Sequence, residues 1–320
     1  MTDELRIGVD LGGTKTEAVV VRLGGDARDR PDVVAKRRVP TARDLGYDHI
    51  VAQTAGLVRD VAKDAGLSSL EAIAVGVGMP GSTTTRLPDG SRSDVALVKN
   101  SNTTCLNGRP FRADLSRALG KEIAFSNDAS CFALAEAVWG AAAGARVAFG
   151  VILGTGVGGG LVFRDASGAA RAWDGAQGIA GEWGHVILDP TGGPPCYCGR
   201  RGCIETYLSG PAIEAAYAER TGVRRPLREI AELEARGDEG ARELFADRVE
   251  IFGRALAVVI DVVDPDVVVL GGGVSNLDVL YGAGVRAVAR WVFSDHLATR
   301  IVKNTLGDSA GVLGAALLRA

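Results

Sequence analysis

The stretch that decides the expected fold is LRIGVDLGGTKTEAVVV, residues 5–21. Its first part, Leu5–Asp10, is a short apolar run that predicts a β-strand, and Glu17–Val21 is a second run of the same kind. Gly12 and Gly13 lie between the two runs, where glycine allows the backbone to turn sharply. We therefore predict a β-hairpin with a glycine-rich tip near the start of the chain.

The same arrangement returns in the middle of the chain. Phe149–Leu153 predicts a strand, the glycines of residues 154–160 interrupt it, and Leu161–Phe163 resumes it. Residues 154–159 also match the pattern G-x-G-x-x-G of dinucleotide-binding folds, but that motif requires a helix directly after the glycines, and a strand follows here. Because one device is used twice, we expect two related domains that face each other.

The spacing of apolar residues predicts further strands and helices between these hairpins. Strands are expected at Ile73–Val77, Ile123–Phe125 and Val267–Leu270. Helices are expected at Arg43–Gly66, Phe111–Leu119, Ala129–Trp139, Pro211–Thr221, Glu239–Val263 and Ala310–Arg319. This alternation is typical of an α/β protein.

The composition agrees with an α/β protein that has many tight turns. The chain has 320 residues, of which 47% are hydrophobic, 23% are charged and 44 are glycine. A chain of this length exceeds one ordinary core, so two domains are expected. The net charge of −3 argues against a nucleic-acid or membrane partner, and no segment has the pattern of a signal peptide or a membrane span. We expect a cytoplasmic protein.

Both glycine-rich tips are candidate phosphate-binding loops. Successive backbone N–H groups near glycine form an anion-binding concavity, and the first tip adds a carboxylate suited to hold Mg²⁺ through water. Two such loops predict a nucleotide cleft, and the glycines after Val267–Leu270 predict an adenosine contact. The candidate residues are Asp10, Gly12, Gly13, Thr14, Lys15, Gly154, Thr155, Gly156, Gly271, Gly272 and Gly273.

Asn127 and Asp128 stand between a predicted strand and a predicted helix. Both residue types are good helix N-caps, worth about 1 kcal/mol, so a structural role is one interpretation. Phosphoryl transfer to an alcohol, in contrast, requires a positioned carboxylate that accepts the hydroxyl proton. We expect Asp128 to be this catalytic base and Asn127 to orient the same substrate through its two donors and its acceptor.

Residues 182–205 combine three of the five cysteines with one of the three histidines. Three thiolates and one imidazole form a ligand set that closes a tetrahedral zinc site. A glycine-rich turn with buried cysteines is the alternative, and a disulfide is disfavoured because the cysteine count is odd and the spacing cramped. Two carboxylates bracket this set, which indicates a small polar substrate. The ligand candidates are His185, Cys196, Cys198 and Cys203, and the carboxylates are Glu182 and Glu205.

Together these residues resemble the ROK family of sugar kinases over nearly the whole chain. Asp10–Thr16 and Gly154–Gly160 resemble its two phosphate loops, and Asn127-Asp128 resembles its Asn-Asp pair with the catalytic aspartate. Glu182-x-x-His185 is similar to its sugar-binding motif, and residues 196–205 are similar to its zinc loop. The resemblance implies the actin-like ATPase fold, which is ribonuclease H-like, with two lobes around a nucleotide and sugar cleft.

The resemblance also implies the organisation of the chain and the groups it binds. The first lobe is expected at residues 1–125, with helix 309–320 packing back on it, and the second at 126–308, with the zinc loop at 185–205. A structural zinc, Mg²⁺, ATP and a hexose are implied, together with a homodimer. One ring nitrogen of His185 would ligate zinc and the other would face the sugar. The implied substrate-binding residues are Gly81, Asn102, Asn127, Asp128, Glu182, His185 and Glu205.

Within the family, the resemblance is strongest to fructokinases that also accept mannose. It rests on residues 98–102, 181–185 and 195–198. It also rests on Trp183, because Phe at this position would look more like the enzymes for acetylated hexoses. We therefore expect an ATP-dependent kinase of a hexose 6-hydroxyl, with fructose as first candidate.

Other members of the family are alternatives. N-acetylglucosamine kinases share the patterns of residues 152–160 and 132–134, so an N-acetylglucosamine or N-acetylmannosamine kinase, or a glucokinase, stays open. Arg164–Gly178 matches no subgroup and is expected near the edge of the sugar pocket.

Two rivals come from other functional classes. A sugar-responsive transcription regulator of the same family would carry an N-terminal helix-turn-helix domain, whereas this chain enters its first predicted strand at about the sixth residue. It also has no basic patch. A sugar binder without catalysis is disfavoured because Asp128 and both phosphate loops are present.

Overall fold

The structure, a computed structural model, describes residues 4–24 and 30–319. Its strands are β1 (Glu4–Leu11), β2 (Lys15–Leu23), β3 (Asp32–Pro40), β4 (Ala74–Met79), β5 (Ser82–Arg86), β6 (Arg92–Lys99), β7 (Ala124–Asn127), β8 (Val147–Leu153), β9 (Val157–Arg164), β10 (Ala170–Ala172), β11 (Val267–Gly271) and β12 (Arg300–Lys303). Its helices are α1 (Tyr47–Asp64), α2 (Phe111–Leu119), α3 (Asp128–Trp139), α4 (Glu205–Leu208), α5 (Gly210–Thr221), α6 (Leu227–Ala235), α7 (Glu239–Val263), α8 (Ala283–Trp291) and α9 (Ala310–Leu317).

The first sheet has five strands in the order β3-β2-β1-β4-β7. β1 and β2 pair antiparallel from Glu4 opposite Leu23 to Leu11 opposite Thr16, so the predicted hairpin is confirmed. β4 and β7 extend the sheet in parallel with β1. The side chains of β1 are buried on both faces because the strand lies inside the sheet, with α1 and α9 packed against it.

Glycine lets α9 approach the first sheet and α3 closely. A Cβ atom at Gly8 of β1 would lie 2.1 Å from Val312 O, and one at Gly314 of α9 would lie 1.7 Å from Cys131 O of α3. No larger residue fits at either position without a backbone shift. The C-terminal helix therefore packs directly on the sheet that begins with β1 and on the helix that follows β7.

The second sheet has the order β10-β9-β8-β11-β12, with β8, β11 and β12 parallel. β11 is buried at all of its positions, as expected for a central strand of a parallel sheet. α7 is the longest helix, with 25 residues, and packs against α8. Its N-cap is Asp238, whose side chain accepts a hydrogen bond from Ala241 N at 2.9 Å.

The described residues form two compact units. The first unit comprises the described residues within 1–144, 160–180 and 306–320, and the second comprises residues 145–159 and 181–305. The lobe limits expected from the sequence stay a prediction. Within the part of the chain that the structure describes, no helix is long and apolar enough to cross a membrane.

Candidate active site

The first glycine-rich loop connects β1 to β2 and is closed by backbone hydrogen bonds. Gly12 N donates to Lys15 O at 3.0 Å, and a Cβ atom at Gly12 would lie 2.8 Å from the same oxygen, so the turn requires glycine. The buried Thr41 donates its hydroxyl to Gly12 O at 2.6 Å and its backbone N–H to Thr14 O at 2.9 Å. The predicted residues Gly12, Gly13, Thr14 and Lys15 therefore form one fixed tip, on which Thr14 and Lys15 are exposed.

Asp10 lies half-buried near the end of β1, beside other carboxylates. Burial, and then the charges of Asp128 and Glu17, raise its pKa to about 7, against the opposing charges of Lys15 and Arg38. The charged form of Asp10 is thus costly in the protein alone. A divalent cation beside the carboxylate would offset this cost, so the surroundings of Asp10 fit the predicted role in holding Mg²⁺.

Asp128 follows β7 directly and is the first residue of α3. Burial raises the pKa of its carboxyl group, and a hydrogen bond of 2.9 Å from Ala129 N opposes this rise. Glu136 of the same helix is also buried, but each of its oxygens accepts a backbone N–H, from Ala141 and from Leu306, so its role is structural. A raised pKa makes a carboxylate a better proton acceptor near neutral pH, so the environment of Asp128 suits a general base.

Asn127 is the N-cap of α3 and uses most of its side-chain amide within the protein. Its Oδ1 accepts a hydrogen bond from Ala129 N at 2.8 Å, and its Nδ2 donates to Gly81 O at 2.9 Å. One amide N–H remains for a ligand, whereas the sequence analysis expected two donors and one acceptor of this side chain to be available. Gly81 has a φ of 89°, and a Cβ atom there would lie 2.6 Å from Lys99 O. These contacts bring Gly81, Asn127 and Asp128 together where β4 and β7 end.

Asn102 is exposed and lies beside the first loop. A Cβ atom at Gly13 would lie 3.8 Å from Asn102 Oδ1. The preceding residue, Ser101, donates its N–H to Asn107 Oδ1 and accepts a hydrogen bond from Asn107 Nδ2, both at 2.9 Å. Asn102 is therefore carried on a fixed turn next to the first candidate phosphate loop.

In the second unit, the glycine-rich loop between β8 and β9 holds Glu205. Glu205 Oε2 accepts a hydrogen bond from Val157 N at 2.8 Å, and a Cβ atom at Gly156 would lie 2.7 Å from this oxygen. Glycine at position 156 thus leaves room for the carboxylate. The loop is shorter than the expected residues 154–160, because β9 begins at Val157 and its pairing takes up the later glycines.

The third glycine cluster follows β11 and lies beside the second loop. Gly272 has a φ of 83°, and a Cβ atom there would lie 2.3 Å from the carbonyl oxygen of Leu153, the residue before Gly154. At Gly273 the corresponding position is open space. Two of the predicted nucleotide elements therefore meet at the carboxyl ends of the parallel strands β8 and β11, where ligands of α/β sheets bind.

A buried tryptophan anchors the short 3-10 helix Trp183–His185. The indole Nε1 of Trp183 donates to Gly158 O at 2.8 Å. A Cβ atom at Gly184 would lie 2.0 Å from Val157 O, so this helix lies directly against β9. Trp183 is therefore a buried packing residue, and its use as a marker of the sugar stays a prediction.

The four candidate zinc ligands are brought together. Their donor atoms all lie within 4.8 Å of one another. His185 Nδ1 is 3.6 Å from Cys196 Sγ, and Cys198 Sγ is 3.6 Å from Cys203 Sγ. Around a tetrahedral zinc ion, with bonds of about 2.0 Å to nitrogen and about 2.3 Å to sulfur, donor atoms are about 3.5–3.8 Å apart. All five cysteines are free thiols, and this set of four fits a closed zinc site.

The sequence analysis missed Tyr197, which contacts the second ring nitrogen of His185. Tyr197 Oη lies 3.0 Å from His185 Nε2, and the two rings pack edge to face with centroids 5.2 Å apart. Partial burial, and then the charges of Glu205 and Glu182, raise the pKa of the Tyr197 hydroxyl. Position 197 stands between two ligand candidates, and only this spacing could have drawn attention to it.

Asp174 was missed as well and lies in the segment Arg164–Gly178. Ser126 Oγ donates to Asp174 Oδ1 at 2.9 Å, and a Cβ atom at Gly178 would lie 3.3 Å from Ser82 Cβ. The segment therefore borders the end of β7 and the start of β5. No local pattern in the sequence signals these contacts.

The profile of the ROK family matches residues 6–320. The chain belongs to the ROK family. It is 37% identical over 320 residues to the N-acetyl-D-glucosamine kinase of Photobacterium profundum, covering 97% of this chain and 98% of that one. The ROK hexokinase structure from Thermus thermophilus has a TM-score of 0.80 and 32% identity, covering 98% of this chain and 97% of that one. A glucokinase of the family from Streptomyces griseus, solved with glucose and AMPPNP, has a TM-score of 0.76 and 26% identity, covering 98% of this chain and 99% of that one.

These similarities confirm the predicted family and the predicted actin-like ATPase fold. They support fructose, the sugar expected first, less than they support its alternative. The relatives in Photobacterium and Vibrio, at 32–37% identity, are named for N-acetylglucosamine, which fits the alternative substrate better than fructose.

Proposed function

We propose that this sugar kinase of the ROK family transfers the γ-phosphoryl group of ATP to the 6-hydroxyl of N-acetylglucosamine. The observation that carries the proposal is the placement of Asp128, a carboxyl group with a raised pKa at the junction of β7 and α3, beside Asn127 and Gly81. Similarity to N-acetylglucosamine kinases along 97% of the chain supports the choice of sugar over fructose.

Asp128 acts as the general base in this proposal. The 6-hydroxyl oxygen attacks the γ-phosphorus in line, the bond to the leaving ADP breaks, and the hydroxyl proton passes to the carboxylate of Asp128. The raised pKa of this carboxyl supports proton acceptance at neutral pH. Asn127 caps the helix that Asp128 begins, and the remaining N–H of Asn127 is available to the sugar.

The glycine loops bind the nucleotide. Backbone N–H groups of the first loop, with Thr14 and Lys15, contact phosphate oxygens, as do those of Gly154, Thr155 and Gly156. Asp10 would hold Mg²⁺ through water, and the ion, when bound, neutralises charge on the phosphoryl oxygens. The open space at Gly273 would receive the adenosine, with Gly271 and Gly272 shaping the turn.

Glu182, His185 and Glu205 bind the sugar hydroxyls away from the reacting end, and Asn102 completes the set. His185, Cys196, Cys198 and Cys203 would hold zinc, which supplies a fixed scaffold and no reaction step. The carboxylate of Glu205 is oriented by Val157 N, so sugar binding and the second loop share one hydrogen-bonded element.

A panel of sugars tests the proposal. We expect the kcat/KM for ADP release with Mg-ATP to be highest for N-acetylglucosamine among N-acetylglucosamine, N-acetylmannosamine, glucose, fructose and mannose. A preference for fructose or mannose would restore the first expectation and overturn this choice of sugar. No ADP above the sugar-free background from any of them would contradict the kinase activity itself. Homodimer formation and a cytoplasmic location stay predictions.

A further inference from the structure

Tyr197 is held firmly by its backbone, while its side chain contacts His185 and is otherwise largely exposed. It stands between the ligand candidates Cys196 and Cys198, in a turn closed by hydrogen bonds from Gly199 N to Cys196 O at 3.0 Å and from Cys196 N to Arg200 O at 2.8 Å. Its side chain is nevertheless 72% exposed. The phenol can therefore change rotamer without disturbing a packed core.

The tautomer of His185 decides the direction of the hydrogen bond to Tyr197. The Nδ1 of His185 faces Cys196 Sγ at 3.6 Å, on the side of the zinc ligands. A neutral imidazole that gives its Nδ1 lone pair to a metal carries its proton on Nε2. With zinc on Nδ1, the Nε2–H group would donate to Tyr197 Oη, 3.0 Å away.

This N–H is the same group that the proposed function assigns to a sugar hydroxyl. One imidazole N–H makes one well-aligned hydrogen bond, so the phenol and a sugar hydroxyl cannot both accept it with good geometry. Glu182 lies on the same short turn as His185, whose backbone N–H donates to Glu182 O at 3.1 Å, so the phenol that contacts His185 stands beside a second candidate sugar-binding residue.

We propose that Tyr197 is a placeholder for the sugar, a positioning residue whose hydroxyl accepts the His185 Nε2–H in the sugar-free enzyme and turns away when a sugar hydroxyl takes its place. This inference rests on the proposed function. The placeholder keeps the imidazole oriented between turnovers. It also sets a condition that a sugar must meet in order to bind. A sugar must offer a hydroxyl that accepts this hydrogen bond better than the phenol does.

Sugar affinity in Tyr197→Phe tests the inference. The variant keeps the ring and loses the competing acceptor, so calorimetric titration with N-acetylglucosamine should give a Kd about two- to fivefold lower than in the wild type, while kcat stays within about twofold. Tyr47→Phe is the matched control, because it also loses one phenolic hydrogen bond, from its hydroxyl to Asp114 Oδ2 at 2.6 Å, in the first unit. The Kd of this control should be unchanged.

A second readout is independent of turnover. The chain has only three histidines, so long-range ¹H–¹⁵N spectra of the ring nitrogens can follow His185 by itself. We expect the Nε2–H tautomer in the wild type and in Tyr197→Phe, a shift of this signal on adding the sugar, and equal rates of zinc release to a chelator.

Three results would overturn the placeholder role. Unchanged or weaker sugar binding in Tyr197→Phe would mean that the phenol does not compete, a proton on Nδ1 would remove the donor, and faster zinc release would make Tyr197 a structural residue. Failure of the proposed function is separate from these results. In that case the wild type binds none of the five sugars and releases no ADP.

Discussion

Asp10→Asn should stabilise the folded protein while it weakens the enzyme. The pKa of Asp10 is about 7, against an ordinary value of 3.8. This difference corresponds to at most about 4 kcal/mol of unfolding free energy, because one pKa unit is about 1.4 kcal/mol. Since the folded pKa is raised, the stability from the protonated carboxyl is fully present below pH 3.8 and is lost as the pH rises to about 7. Asparagine does not ionise, so the variant avoids this loss.

Unfolding by denaturant, without Mg²⁺ or nucleotide, measures the effect. We expect wild type and Asp10→Asn to be nearly equal at pH 4 and the variant to be more stable at pH 8, by up to about 4 kcal/mol. Asp165→Asn is the control of opposite sign, because hydrogen bonds from Ser167 and Arg171 hold the pKa of Asp165 below its ordinary value. A variant Asp10→Asn that is less stable than the wild type at pH 8 would refute the reasoning.

The remaining predictions concern the zinc site, the segment around Asp174 and the contact of α9. Cys203→Ser should lower the zinc content and weaken sugar binding more than nucleotide binding, as measured by metal analysis and calorimetry; equal loss of both would indicate global unfolding. Ser126→Ala removes the hydroxyl bonded to Asp174 and should lower kcat by up to about tenfold with little change in the KM for ATP. Gly314→Ala places a Cβ atom 1.7 Å from Cys131 O and should destabilise the fold by about 1–3 kcal/mol or more in thermal unfolding, whereas Gly24→Ala, where the space is open, should not.

The elements that could be predicted from the sequence are those with strong local patterns. The hairpin of β1 and β2 combines two apolar runs with a glycine turn, and α7 spans the predicted Glu239–Val263. β3 was missed because its side chains, including Lys36 and Arg37, are largely exposed at the edge of the sheet. α6 and α8 were not among the predicted helices; each has nine residues, and both pack against α7 in the structure.

The residues of the candidate site also differ in the strength of their local sequence signal. The zinc ligands could be predicted because Cys and His are rare in this chain and cluster within a short segment. Trp183 was taken as a marker of sugar choice; its indole N–H is bonded to Gly158 O in the core, and its link to the sugar stays a prediction. Thr41 and Tyr197 act through contacts that only the folded chain creates, and the one sequence signal for either is the position of Tyr197 between two ligand candidates.

Turnover of Asp128→Asn tests the central claim most directly, that this carboxylate is the base of an ATP-dependent sugar kinase. The assay is ADP release with saturating Mg-ATP and N-acetylglucosamine, with Asp238→Asn as control, since it changes an aspartate at another helix N-terminus to an equally good N-cap. We predict a kcat about 10²–10⁴-fold below the wild type for Asp128→Asn, with ATP binding retained, and no change for the control. A fall of less than tenfold for Asp128→Asn would contradict the account.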